Sequence, residues 1–530
     1  MQHGKRETFN GSHDADAPLL SVQVQHPELF RGTTVSEVLN GFGKRWKLAG
    51  GLDGQAVEDL FDASRTVSHL DDFLSHSWHD VWWIKYLALL CTYNLTPVLV
   101  VSYLIGFVIY LLERNGYLPH IGHMSRVFQA MLPSSEPLPP PETLDGRPSA
   151  PAYPWCLIVS PSLFIFLVVS WQYVVRASAA IIGWPRPRFL FFDRICIDQN
   201  DEDKKTKAVK DIGGYLANSG RMVIFWSSIY FSRMWCVFEV ATFGAAQAFG
   251  NRGSDLFFLP LPLVKICCLS FGLCLVGTAL LEVIWTNLFR AAPSITVFQC
   301  DLLVAAACAF SVAGPVFLGT PFIMDYTRDR QNLEEDLSKF DVRNAACFDP
   351  KDKERVHRTI ENWFNAEQGL PASPHEQSKG LDHFNEFVQG PFRKEIHNIV
   401  GKPTMVPYNL VLLIGLPLFM TVLDCLSSNL HKTPEIEVCM ILLAVTLVFA
   451  ALPLFISNLL QWFKLITPFC NSALTKSMAP FASWVFAFTL WFSLILPLFL
   501  IMQLGNAPGC YISMGCLLYG WLTWRAYRTH

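Results

Sequence analysis

The chain has 530 residues, of which 52% are apolar and only 16% charged, with a formal net charge of −3. Soluble domains average about 25% charged residues, and apolar runs of about 18 residues or more recur along this chain, so the composition excludes an ordinary soluble protein and points to one that crosses a roughly 30 Å hydrocarbon core several times. The near-balanced charge carries no basic patch of the kind that holds nucleic acid, and none is expected as a partner; the lipid bilayer is.

Residues 1–68 read as a polar N-terminal region on the cytosolic side. The first stretch (MQHGKRETFNGSHDADAPLL) has no apolar h-region, so no cleavable signal peptide is expected. Ala56–Arg65 has helical spacing. The segment DDFLSHSWHD is a short apolar strand signal running into polar loop residues, and Val81–Tyr93 reads as a helix, so 69–93 forms one strand–helix unit. The first expected span is Leu95–Leu112 and the second Trp155–Val175, within a membrane hairpin over 94–176. The loop between them (PSSEPLPPPETLDGRPSAPAYP) is too rich in proline for regular structure.

Residues 186–260 read as water-soluble. FLFF is a strand, CIDQNDEDKK a turn and helix start capped by Asn200 or Asp201, with that helix ending near Gly220. RMVIFWS is a buried strand, and Ser232 is placed to cap a helix from Arg233 to about Gly250. A second membrane hairpin follows at 262–323, with spans near 262–286 and 295–323. The charged segment 325–404 contains a helix over Lys351–Phe364. Four further spans, near 405–425, 436–461, 480–503 and 509–524, make up 405–524, before the tail 525–530. Eight spans, to the nearest count, put both termini on one side. Basic residues concentrate in 186–254, 325–404, 462–479 and the tail, so by the positive-inside rule that side is the cytosol.

The cytosolic pieces together run strand, helix, strand, helix, strand, helix, the order of a parallel sheet covered on both faces. Three blocks, FLSHS, FFDRICID and VIFWSSIYFSRMWCVFE, then give a resemblance. In that order they resemble the Toll/interleukin-1 receptor (TIR) domain, whose signature is S..Y..S.WC..E; Ser228, Tyr230, Ser232, Trp235, Cys236 and Glu239 supply most of that pattern. The chain also looks like TIR-like proteins of single-celled eukaryotes that share SHSW-D, D-x-x-CIDQ and WC-x-x-E. The resemblance covers 71–93 and 188–260. It implies a polytopic α-helical membrane protein with a cytosolic α/β, flavodoxin-like parallel-sheet domain interrupted by membrane hairpins. SDLFFLPLP is then a fourth strand, and FDVRNAACFDPKDKERVHRTIENWF completes the domain as a last strand and helix. A long insertion at a loop is tolerable because closure cost grows slowly with length.

Some TIR domains cleave the glycosidic bond of NAD. The resemblance places the catalytic carboxylate at Glu239, with Trp235 four residues earlier on the same helix face. Ser75, His76 and Ser77 follow the first strand and Asp198 follows the second. They are the candidate nucleotide-binding residues, at the sheet edge where α/β folds take ligands. A carboxylate there stabilises an oxocarbenium-like state and can hold ribose hydroxyls. NAD is a substrate on this reading and no cofactor is required. Many TIR domains only assemble with one another, so three readings stay open: an NAD hydrolase, a self-associating signalling scaffold, and a transporter or channel carrying such a domain. Asp193 and Asp198 also suit turns. The cysteines, several inside apolar runs (Cys267, Cys268, Cys274), show no zinc spacing and read as small buried hydrophobes. Glu282, Asp301 and Asp424 fall near span ends, where they are expected to meet water or headgroups. Asn94 heads an NLT sequon at the bilayer edge and is expected to be unmodified.

Overall fold

The computed structural model describes residues 23–46, 60–125, 143–144, 147–248, 255–291, 297–366, 379–401, 405–427 and 444–503, with 438, 441–442, 518, 520–523 and 525. The chain is mostly helical, with a mixed six-stranded sheet and, among the described residues, five helices long and apolar enough to cross a bilayer.

The sheet opens with β1 (Arg31–Thr34), followed by helix α1 (Val35–Leu39), β2 (Ser64–Thr66) and β3 (Leu70–His76). Thr34 caps α1 by accepting the Glu37 amide at 3.3 Å. Helix α2 (Trp82–Tyr93) runs through Asn94 almost without a break into α3 (Leu95–Arg114). A small antiparallel sheet follows: β4 (Gly122–Ser125), β5 (Thr143–Leu144) and β6 (Arg147–Ala152) in the order β4-β6-β5. The proline-rich loop is therefore partly regular. Alternate residues of a strand bond to opposite neighbours, so Pro148 and Pro151 each remove a donor on one side only. The chain returns along α4 (Trp155–Ile182), which Gly183 ends in the left-handed conformation at φ 68°.

The sheet resumes with β7 (Phe189–Phe191), the single turn α5 (Asp193–Cys196), and helices α6 (Glu202–Lys210) and α7 (Ile212–Ala217). Asp201 is the cap, taking the amides of Asp203 and Lys204 at 3.1 and 3.0 Å. The expected single helix is split at Asp211, whose buried carboxylate takes the amides of Gln25 and His26 at 3.0 and 2.7 Å and so ties down the N-terminal segment. Strand β8 (Ser219–Trp226), helix α8 (Met234–Ala248) and β9 (Asp255–Pro260) follow. Ser232 does not cap α8: it ends a 3-10 turn and its hydroxyl donates to Ile229 O at 2.7 Å.

The sheet order is β2-β1-β7-β3-β8-β9. The strands β7, β3, β8 and β9 are parallel, and β1 pairs antiparallel to both β2 and β7. Two expectations are corrected here. The sheet is mixed rather than wholly parallel, and the region 1–68 is not separate from it, since β1 and β2 build one edge. Ser64 and Arg65, assigned to a helix, lie in β2; the part of that helix up to residue 59, like residues 1–22, where no signal peptide was expected, lies outside the described residues.

Period-two alternation sends Phe73, Phe191, Met222, Ile224, Trp226 and Phe258 to one face and Leu74, Leu190, Val223, Phe225 and Leu259 to the other. The second face is closed by α1, α2 and Trp46. The first is closed by α7, α8 and a late part of the chain. Pro260 of β9 passes directly into the apolar helix α9 (Leu261–Ala291), and α10 (Val297–Ser338) continues beyond the expected span end into charged chain without interruption. Helices α11 (Pro350–Ala366), α12 (Lys379–Phe387) and α13 (Arg393–Val400) then fold back, and Leu333, Phe340, Ile360, Phe384, Phe392 and Ile396 join the sheet core. The last strand predicted at FDVRN is instead a 3-10 turn, Val342–Asn344, with one isolated bridge between Arg233 and Ala346.

The apolar bundle is made of α3, α4, α9, α10, α14 (Tyr408–Ser427), α15 (Leu452–Ile466) and α16 (Ala473–Gln503). The five helices that meet the length and hydropathy needed for a span are Leu95–Arg114, Trp155–Ile182, Leu261–Val283, Tyr408–Ser427 and Ala444–Phe469. Helices α10 and α16 occupy the expected fourth and seventh spans. Most of the eighth, near 509–524, and nearly all of the tail lie outside the described residues.

Candidate functional site

The centre of the sheet brings the candidate residues together. Strands β3 and β8 run parallel with His76 opposite Phe225, so both chains leave the sheet at the same edge and the loops that follow lie side by side. From β3 come Ser75, His76, Ser77 and Asp80; from β8 come Ser227 and Tyr230. Ser227 Oγ donates to Asp80 Oδ2 at 2.9 Å, joining the loops. Burial pushes the Asp80 carboxyl up.

Ser75 is fully buried and its hydroxyl bonds both Tyr230 and Glu239 Oε2. With one proton per hydroxyl, the arrangement is a relay: Tyr230 donates to Ser75 and Ser75 donates to Glu239. Glu239 projects from α8 and is half-buried. Burial pushes its carboxyl up to about 8, against the Ser75 hydrogen bond and with help from the Asp193 charge. Burial holds the Tyr230 phenol well above its ordinary range.

A second group lies at the same edge, between β3 and β7. Asp193 takes the Trp78 indole N–H at 2.8 Å and the Arg194 amide at 2.7 Å, and burial pushes its carboxyl up to about 6. His76 Nε2 sits 3.8 Å from Asp193 Oδ1. Burial and the Lys85 charge hold His76 well below its ordinary value, so its ring is neutral. Lys85 is 1% exposed, donates to Ser77 O at 3.0 Å, and is pulled down to about 8 by burial. The Cys236 thiol, facing His76 O at 3.7 Å, is driven up by burial and is no nucleophile.

The structure thus assembles Ser75, His76, Ser77 and Glu239 at one sheet edge. It does not bring Asp198 into that group: its carboxylate takes the amides of Asn200 and Asp201 at 3.1 and 3.3 Å and faces Lys204 at 3.4 Å, the work of a turn. Trp235 packs edge-on to Phe238 at 5.9 Å, on the helical cover of the core. Asp80, Lys85, Asp193 and Ser227 were not among the predicted site residues. They lie in or near the SHSWHD, DRICID and WSS stretches, which mark the region but not these four residues.

In the bundle, Glu113, Cys156 and Asp424 each offer one donor atom within 4.8 Å of the others, all fully buried. The carboxylates hold backbone rather than facing water. Glu113 takes the amide of Trp155 at 3.0 Å, and Asp424 takes those of Cys156 and Leu157 at 2.8 and 2.9 Å. Asp424 and Glu282 are therefore buried, 1% and 9% exposed, rather than reaching headgroups. Asn94 is also fully buried, its amide donating to Val168 O at 2.8 Å and accepting from Gln172, which leaves no room for a glycan.

No protein-family model matches this chain, nor does any curated protein or any solved structure.

Proposed function

We propose that this is a multi-pass membrane protein carrying a cytosolic TIR-like domain that self-associates and hydrolyses NAD at Glu239. Taken in chain order, the four parallel strands lie 2-1-3-4 across the sheet, the beginning of the flavodoxin-like order whose ligands sit between the first and third strands at their carboxyl ends. The observation that carries the reading is the Ser75–Glu239 hydrogen bond, which fastens the glutamate of the WCVFE block to the end of the first parallel strand at that point.

The chemistry suits the arrangement. Cleavage of the bond between nicotinamide and ribose releases neutral nicotinamide and leaves positive charge on the ribose; water then adds at the anomeric carbon and loses a proton. Ionised Glu239 stabilises that charge. Ser75 and Tyr230 orient the carboxylate, and the neutral His76 and Ser77 offer hydrogen bonds to hydroxyls. Assembly of several TIR-like domains on one membrane face accounts for the bilayer anchoring, with both termini on the cytosolic side.

The test is NAD consumption by the purified full-length protein in detergent, at a concentration that allows assembly, beside Glu239→Ala. Turnover in the first and none in the second supports the hydrolase. Absence of turnover in folded protein overturns it and leaves self-association, read from concentration-dependent size, as the function.

A further inference from the structure

A cavity of about 190 Å³ opens where the apolar bundle meets the sheet domain, lined by Arg330, Leu333, Glu334, Leu337, His397 and Lys464 among others. Its basic side chains come from three segments. Arg330 lies on α10 beyond the apolar stretch, His397 near the end of α13, and Lys464 in the last turn of α15. A water occupies about 30 Å³ in the liquid, so there is room for a polyatomic ligand.

Arg330 is the unusual member. It is 5% exposed, it spends Nη2 on Gly401 O at 3.3 Å, and its Nε has no hydrogen-bond partner. Burying an unmet N–H of a cation is costly unless something accepts from it. The acid in the wall is not free to do so, because Glu334 is already bonded by Arg393 and by His397 Nε2, the latter at 2.6 Å. Arg330 inside and the exposed Lys464 at the rim leave the cavity positive.

The geometry points to a binding site for a phosphate-bearing anion, with Arg330 as the buried anchor and Lys464 as the rim cation. A guanidinium fork matches phosphate oxygens, and lysine adds a point charge. Leu333, Leu337 and Ile396 give the same cavity an apolar wall. An acidic lipid headgroup and a soluble phosphate share this chemistry. The lipid source rests on the reading of α10 and α15 as membrane helices, which would set the cavity at headgroup depth; the site itself is independent of Glu239 and of NAD.

The experiment is thermal unfolding of the full-length protein in neutral detergent, titrated separately with dioctanoyl phosphatidic acid, dioctanoyl phosphatidylcholine and inorganic phosphate. A saturable upward shift with phosphatidic acid is expected, weakened about tenfold in Lys464→Gln by loss of one charged hydrogen bond, and lost in Arg330→Gln. An equal response to inorganic phosphate supports the site and makes a soluble anion its source. No saturable response to either anion overturns the proposal, as does an equal response to the phosphatidylcholine. Should Arg330→Gln fail to fold, Lys464→Gln decides: a weakened response supports the site, and a response equal to that of the unaltered protein overturns it.

Discussion

Glu113, next to the last residue of α3, accepts the first amide of α4, Trp155 N, at 3.0 Å. Asp424, on α14, accepts the next two. The first four amides of any helix lack partners within the helix, and here that end is buried in an apolar bundle. Carboxylates from two other helices take the place of water. The hairpin that separates β3 from β7 is thus closed by specific bonds at its far end, while α2 and α3 join almost without a break at its near end. The intervening chain lengthens the path between paired strands without loosening their pairing.

Asp424→Ala should destabilise the bundle by about 2–6 kcal/mol, since two buried amides lose their acceptor at about 1–3 kcal/mol each. Asp424→Asn keeps one carbonyl oxygen and should cost less. Thermal unfolding in detergent orders the three proteins; equal stability of Asp424→Ala and the unaltered chain would show that the amides find other partners.

Asp72, 1% exposed in β3, takes Arg221 Nε at 2.7 Å from the register-paired residue of β8 and the Tyr93 hydroxyl at 2.7 Å from the end of α2. Asp72→Ala leaves a guanidinium and a phenol without their acceptor. A loss of about 1–3 kcal/mol is expected, because the stranded Arg221 and the neighbouring Arg188 are partly exposed and water can reach them. Arg221→Ala should cost more, about 3–5 kcal/mol, because it strands the buried Asp72 carboxylate with the Tyr93 hydroxyl and the more distant Arg188, at 3.7 Å. The check is chemical denaturation of both variants.

The parallel core was legible because MVIFW, FLFF and LFFLP are short apolar runs between polar turns, too short for buried helices and suited to strands covered on both faces. The β1–β2 edge was not, because RGTT and SRT are short and polar, as edge strands commonly are. Ser75 and Glu239 could be singled out from local patterns. The role of Asp424 could not: its partner Cys156 lies 268 residues away, and nothing in either segment marks the pairing. Asp80 and Ser227 likewise look like ordinary loop residues until β3 and β8 are adjacent. Asp198 misled for the opposite reason, since an aspartate after a strand serves a turn as readily as a ligand.

Helices α11 and α12 cross so closely at Gly380 that a Cβ there would stand 2.8 Å from Glu361 Cα and nearer still to its carbonyl oxygen. Backbone cannot move aside as a side-chain tip can. Gly380→Ala should therefore part the two helices, expose Phe364 and Phe384, and cost about 1–3 kcal/mol as overpacking. Faster proteolysis within 350–400 would report it; unchanged proteolysis and stability would mean that the crossing tolerates a methyl group.

Glu239 sets a pH dependence whose sign can be derived. The folded carboxyl keeps its proton up to about 8, against an ordinary value of 4.5, so between those values the folded chain binds a proton that the unfolded chain has released. Raising the pH then favours unfolding. The stability held by this proton is complete below the ordinary value and is lost as pH rises through about 8, with a slope of at most about 1.4 kcal/mol per pH unit. Glu239→Gln has no proton to lose, so its stability should fall less over the same window. Unfolding of both proteins measured from about pH 5 to about pH 9 tests this; parallel curves would show that the carboxyl titrates normally. If the carboxylate form serves NAD cleavage, kcat/KM of the unaltered protein climbs through the same pH, because that ratio reports the free enzyme. A rate that falls with rising pH there would assign Glu239 the role of an acid instead.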